Sequence, residues 1–230
     1  MGKLAIEGGK PVREKPMPGR IMFGEEEKKV VMELIEGGIK GTTEKFLDRY
    51  AGENVNKYEE EFAKFFGMKF ATAVSSGTAA VHSAIASLDL EPGSEIITSP
   101  ITDPGTVMPI LFQGLIHIFA DVDFYTLNIT SETIEKVITK KTKGIIPVHL
   151  AGVPCQIDKI MKLGKKYKLK VIEDCAQAHF SIYKNKYVGT FGDIGVFSLM
   201  SGKHMTSGGQ GGMVITNNEK YYWNAKRFAD

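Results

Sequence analysis

From Phe70 to Thr216 the chain repeats one rhythm: a short apolar run, a turn of small polar residues, then a segment with helical spacing. The runs Phe70–Val74, Ile96–Thr98, Ile116–Ala120, Ile145–His149, Lys170–Ile172, Val196–Leu199 and Met213–Thr216 read as strands. Between them Ala79–Leu88, Gly105–Phe112, Ser131–Ile138 and Ile157–Tyr167 read as helices, the third opened by a Ser131 cap that lacks the usual acidic partner. Parallel strands need long crossovers and helices supply them, so this alternation predicts an α/β fold: three layers, a mostly parallel sheet sandwiched by helices. Function then belongs at the carboxyl ends of the strands.

Residues 1–23 are rich in Gly, Pro and basic side chains without periodicity, which predicts an extended N-terminal arm. Val30, Val31, Leu34 and Ile35 recur at helical spacing over Glu25–Glu36, and Gly37-Gly38 is expected to stop that helix. Gly41–Val55 reads as a loop, and Tyr58, Phe62, Phe65 and Phe66 mark an amphipathic helix ending at Gly67. No repeat or composition break divides residues 24–230, so they are read as one large domain. At 230 residues and 43% hydrophobic the chain can bury a core of that size. A net charge of +2, from 29 basic and 27 acidic side chains, gives no footprint for nucleic acid or an anionic membrane. Cys155 and Cys175 form no disulfide framework or metal spacing, and no signal peptide or membrane-length apolar run is visible, so the reading is a cytoplasmic protein without a metal.

The strand ends carry the chemistry. Ser76-Gly77-Thr78 opens a helix after a strand, where backbone N–H groups and the helix dipole favour a phosphate, although such a turn is also an ordinary helix cap. Asp174 ends the apolar run Val171-Ile-Glu-Asp, and Lys203 follows a later strand, between Ser198-Leu-Met and the glycine-rich Thr206–Gly212. Singly, each has a structural explanation. Together they supply an amine for covalent attachment of a carbonyl cofactor and an acid to hold a pyridinium nitrogen charged, which is what pyridoxal 5′-phosphate (PLP) requires. Ser198 could add a hydroxyl to the phosphate. His149, at a strand end, is either near the cofactor or a satisfied core histidine, and His82 reads as a packed helix residue. Cys175 has no histidine to activate it and reads as a buried small residue. Tyr221, Tyr222 and Trp223 read as the start of a helix. Gly189-x-x-Gly192-x-x-Gly195 lacks the G-x-G spacing of a dinucleotide loop, which argues against an oxidoreductase.

Six segments resemble motifs of the DegT/DnrJ/EryC1/StrS family of PLP-dependent aminotransferases: Val74–Ala80, Phe119–Asp123, Pro147–Gly152, Val171–Gln177, Gly189–Gly195, and Phe197-Ser-Leu with Lys203-His. They cover nearly all of the chain after the arm. The resemblance implies the large domain of a fold type I enzyme. It implies that Lys203 is the Schiff-base lysine and proton shuttle, that Asp174 pairs the pyridine nitrogen, and that Gln177 lies beside the ring's phenolic oxygen. Gly77, Thr78 and Ser198 match phosphate-cradling positions, with Ser76 as neighbour. The implied reaction moves an amino group from glutamate or glutamine to a keto sugar, commonly nucleotide-linked, or to a keto cyclitol, in a homodimer. A dehydratase branch of the family carries histidine in place of the lysine, so Lys203 favours amino transfer.

Three features depart from the family pattern. Asp103 stands where many relatives place a ring-stacking aromatic, Thr206–Gly212 is one residue longer than usual, and the family's smaller C-terminal domain is expected beyond Asp230. A catalytically incompetent fragment, or a regulator that keeps the PLP fold, is the alternative reading.

Overall fold

A computed structural model describes residues 2–19, 21–39 and 52–229. The chain divides into two compact units, Met1–Thr42 and Thr43–Asp230. In the first, a 3-10 turn, Ala5–Glu7, precedes helix α1, which spans Glu25–Ile39. The pair Gly37-Gly38 does not stop α1. Glycine weakens a helix by about 1 kcal/mol relative to alanine but keeps its N–H, so the ladder continues through it. Of the segment expected to be a loop, Glu53–Val55 form the first turn of a helix and residues 41–51 lie outside the described ones.

In the second unit α2 (Glu53–Phe66) closes on Gly67, whose φ of 66° lets its N–H and that of Met68 reach back to the last turn. Then follow β1 (Phe70–Val74), α3 (Gly77–Ser87), β2 (Glu95–Thr98), α4 (Pro104–Phe112), β3 (Ile116–Phe119), α5 (Ser131–Glu135), β4 (Thr142–Ile146) and α6 (Ile157–Tyr167). The remainder is β5 (Lys170–Asp174), a small hairpin of β6 (Ile182–Tyr183) and β7 (Lys186–Tyr187), β8 (Ile194–Ser198), β9 (Gly212–Thr216) and α7 (Glu219–Ala229). Seven strands form one sheet in the order β1-β9-β8-β5-β4-β2-β3. All neighbours are parallel except β9, which runs antiparallel to both β1 and β8.

Period-two alternation along buried strands builds the layers. Ile96, Ile146, Ile172, Val196 and Val214 face a cluster completed by Ala80, Val81, Ala84 and Ile85 of α3 and Ala225 of α7. Their neighbours Ile97, Ile145 and Val171 face the opposite way, against Ile157, Ile160 and Leu163 of α6. On that same face Phe197, Met213 and Ile215 meet Phe62 and Phe66 of α2. Each such side chain contributes about 1.5–3 kcal/mol by leaving water, so the expected sheet covered on both faces is what the pattern enforces.

Element ends moved where local chemistry overrode the apolar pattern. The fourth strand is Thr142–Ile146 rather than Ile145–His149, because Pro147 has no N–H to continue the ladder; Val148 survives as an isolated bridge to Asp174. The cap of α5 is Thr130, not Ser131: its hydroxyl accepts from the Thr133 N–H, and Thr133 reciprocates. That helix ends at Glu135, short of Ile138. No described helix is long and apolar enough to cross a membrane.

Candidate active site

The antiparallel course of β9 gives the sheet one functional edge. Its first residue, Gly212, pairs with both Val74 and Ser198, so the start of β9 lies beside the carboxyl ends of β1 and β8, and β5 ends nearby at Asp174. A cavity of about 220 Å³ opens there, and all seven residues singled out in the sequence line it: Ser76, Gly77, Thr78, Asp174, Gln177, Ser198 and Lys203.

On one side Ser76 caps α3, its Oγ accepting from the Ala79 N–H at 3.0 Å. The turn is packed to its limit. A Cβ at Gly77 would lie 2.6 Å from Ser198 Cβ, and one at Gly212 would lie 2.3 Å from the Ser76 carbonyl oxygen. Glycine at both places brings the α3 N-terminus and the Ser198 hydroxyl to one spot, leaving backbone donors turned to the cavity where negative charge is favoured. Beside it, Asp103 caps α4 by accepting from the Gly105 N–H at 2.8 Å. The residue standing at the usual aromatic position thus has a structural task in this chain.

Asp174 is 3% exposed. Its Oδ1 accepts from the Ala176 N–H at 3.0 Å and its Oδ2 from the Thr106 hydroxyl at 2.8 Å. Burial pushes its pKa above the ordinary carboxylate value, while those two hydrogen bonds and the charge of Lys203 oppose the rise. Lys203 is half-buried in the turn after β8, where its N–H donates to the Met200 carbonyl at 2.8 Å. Gln177 accepts from the Ala151 N–H at 2.8 Å through Oε1, which identifies its NH2 as the end able to donate to a ligand. Ala151 is held there in the left-handed region, φ 51°.

His149 does not reach the cavity. It is fully buried, its Nδ1 accepts from the Cys155 N–H at 3.0 Å, and Nε2 therefore carries the proton toward Glu173 Oε2 at 3.1 Å. Of its two readings, the satisfied core histidine holds. Glu173 also accepts from the N–H groups of Gly189, Phe191 and Gly192 at 2.9, 2.7 and 2.6 Å. The glycine-rich 189–195 segment is thus wrapped around a buried carboxylate. Cys175 is buried and its thiol is pushed well up by burial, which leaves it inert; His82 packs in α3, its Nε2 accepting from the Gln113 amide at 2.8 Å.

Sequence reading missed Thr106, Thr102 and Gln210, which also line the cavity, and the Glu173 network. The one available signal was two threonines four residues apart across a helix start. It missed His179 as well. This side chain is 5% exposed, with both ring nitrogens lacking a hydrogen-bond partner among the described residues, and its ring lies 5.7 Å from Phe197 and 5.5 Å from His204. Burial, opposed by the nearby Ser198 backbone and aided by His204 and Lys203, lowers its pKa to about 4. An unfolded histidine titrates near about 6.5. The unfolded chain therefore takes up this proton first, and stability is lost as pH falls from about 6.5 to about 4. His82 is depressed by burial and adds with the same sign. His179→Phe is expected to flatten that part of the stability profile. Urea unfolding across this pH range checks it, and a profile as steep as the parent's would assign the loss to other groups.

The sheet order, with an acid ending the central strand and a lysine beyond the next, is that of the fold type I enzymes. Within that class the chain belongs to the DegT/DnrJ/EryC1/StrS aminotransferase family, whose model matches residues 33–230. It is 44% identical over 171 residues to a GDP-perosamine synthase of Escherichia coli O157:H7, covering 74% of this chain and 47% of that protein. The solved aminotransferase from Psychrobacter cryohalolentis matches with a TM-score of 0.83 and 40% identity, over 92% of this chain and 51% of that one. An E. coli GDP-4-keto-6-deoxy-D-mannose-3-dehydratase, solved with bound hydrated PLP, matches with a TM-score of 0.79 and 32% identity, over 88% and 51%. The chain spans about half the length of the curated relatives it matches.

Proposed function

We propose that the protein binds PLP in this cavity and transfers an amino group from glutamate or glutamine to a keto sugar, nucleotide-linked as in GDP-perosamine synthase, working as a homodimer. One observation carries the reading: a buried carboxylate and a lysine share a small cavity with the N-terminus of α3. The donor set fits the cofactor: Ser76, Gly77, Thr78 and Ser198 line one end of the cavity and the buried Asp174 lines it as well, and the close approaches at Gly77 and Gly212 hold that turn in place. When bound, PLP supplies a carbonyl carbon and an electron-withdrawing ring.

In this reading Lys203 Nζ would hold the cofactor covalently and, as a free amine, would serve as the base and acid for the proton at the substrate carbon. Asp174 would pair the ring nitrogen as an anion and keep a proton on it, because charge pairing in a low-dielectric site favours the protonated ring. Backbone N–H groups of Gly77 and Thr78, with the hydroxyls of Ser76, Thr78 and Ser198, bind the phosphate and fix the ring in the cavity. The Gln177 NH2 donates to the phenolic oxygen. A second reading, dehydration as in the E. coli relative, is disfavoured by Lys203, an amine able both to form the link and to release it.

The test adds PLP to the purified protein, follows its visible absorbance band, then supplies glutamate or glutamine and a panel of nucleotide-linked keto sugars, with amino sugar detected by mass spectrometry. Donor-dependent amino sugar supports the reading. Deoxygenated sugar without nitrogen would move the chain to the dehydratases, and absence of any band would remove PLP from the account.

The cradle makes a further demand. Gly77→Ala forces a methyl into contact with Ser198 and is expected to destabilise the fold by about 1–3 kcal/mol, the range for overpacking, and to weaken PLP binding. Urea unfolding and a PLP titration read the two effects, and a variant unchanged in both would show that the turn has room to spare.

A further inference from the structure

Asp174 is served by a hydroxyl from a different part of the chain. Thr106 is 2% exposed, in the first turn of α4, and its Oγ1 lies 2.8 Å from Asp174 Oδ2. The same Oγ1 lies 2.8 Å from Oγ1 of Thr102. A threonine hydroxyl has one proton, and a carboxylate oxygen only accepts, so the Thr106 proton is committed to Asp174. The contact with Thr102 then has one possible sense: Thr102 donates and Thr106 accepts. Each hydroxyl in such a chain polarises the next, which strengthens the last bond. The first turn of α4 brings a second contribution, because its positive dipole end favours an anion there. Gly105 lets the start of α4 approach Thr78, since a Cβ there would sit 2.5 Å from Thr78 Oγ1.

We propose that Thr102 and Thr106 form a two-hydroxyl relay that fixes the Asp174 carboxylate in orientation and keeps it charged, so that Thr106 is a positioning residue for the acid. The role assigned to Asp174 rests on the function proposed above. The relay itself does not, because it consists of contacts among Thr102, Thr106 and Asp174 alone. It splits the acceptor capacity of Asp174: Oδ1 is steered by Ala176 and Oδ2 by Thr106, which leaves the carboxylate little freedom to rotate. The ionisable groups around it are Lys203 from the turn after β8, His149 from the segment after β4, and its own neighbours Glu173 and Cys175.

The experiment follows Asp174 in the cofactor-free protein by carbon NMR of aspartate labelled at the side-chain carboxyl, with the signal assigned by its loss in Asp174→Asn. Removing a hydrogen bond to a charged group is expected to raise the carboxyl's titration midpoint by about one to two pH units in Thr106→Val. Thr106→Ser should restore it. Thr102→Val, which leaves the Asp174 contact in place, should shift it in the same direction by less. An unmoved midpoint in Thr106→Val overturns the proposal. Should that variant fail to fold, Thr102→Val decides alone, and no shift there overturns the relay. With nitrogen-labelled PLP added, the ring nitrogen should carry less proton in Thr106→Val than in the parent at the same pH, a signature that loss of packing would not produce. Failure of the parent to bind PLP would strike the proposed function and leave the carboxyl titration to judge the relay.

Discussion

Reduced with borohydride in the presence of PLP, the parent protein should retain cofactor on one lysine, and Lys203→Ala should retain none. The expected loss is complete because covalent trapping needs an amine at that place, and among the residues lining the cavity Lys203 is the only lysine. The fold should survive, since Lys203 is only half-buried and its turn contact is made by the backbone N–H, which alanine keeps. Residual non-covalent binding is expected too, because Gly77, Thr78 and Ser198 are untouched. Peptide mapping after reduction provides the check, and labelled cofactor on another lysine in the parent would refute the assignment.

The second large effect concerns charge. Asp174→Asn keeps shape and can still accept from Thr106, but it removes the anion that holds a proton on the ring nitrogen. Amino transfer is expected to fall by at least about 10²-fold, the scale seen when a preorganised charge-stabilising group is lost from an active site, with PLP still bound. Rapid-mixing measurement of the step with the amino donor, beside a PLP titration, separates the two quantities. A variant that keeps the parental rate would show the carboxylate to be structural.

Much of the fold is legible in the chain because buried strands and their crossover helices write two different periods into it. Ile96 and Ile97, or Ile145 and Ile146, are adjacent apolar residues that a sheet covered on both faces requires and a half-exposed one would not. The lining residues were legible for a related reason: Asp174, Ser76 and Ser198 each stand where an apolar run stops, which in this class of fold is the ligand edge. The Glu173 network and the Thr106 contact were not. Thr106 and Asp174 are distant in sequence and belong to different elements, and no periodicity records a pairing across a cavity. His149 shows the converse, a strand-end residue whose position looked functional until its two partners, Cys155 and Glu173, accounted for both ring nitrogens. The α5 cap was displaced by one residue because Thr130 and Ser131 are chemically equivalent candidates, and only backbone geometry chooses between them.

The placement of β9 has a consequence for how the molecule comes into being. Among the described residues β1 has a single strand neighbour, β9, so it has no sheet edge to dock on until residues 212–216 exist. During synthesis the segment around Ser76 must wait until residues 212–216 have left the ribosome, and closure of that long loop is slow. Binding competence should therefore emerge in one step, when β9 slots between β1 and β8, rather than grow gradually as the parallel strands assemble.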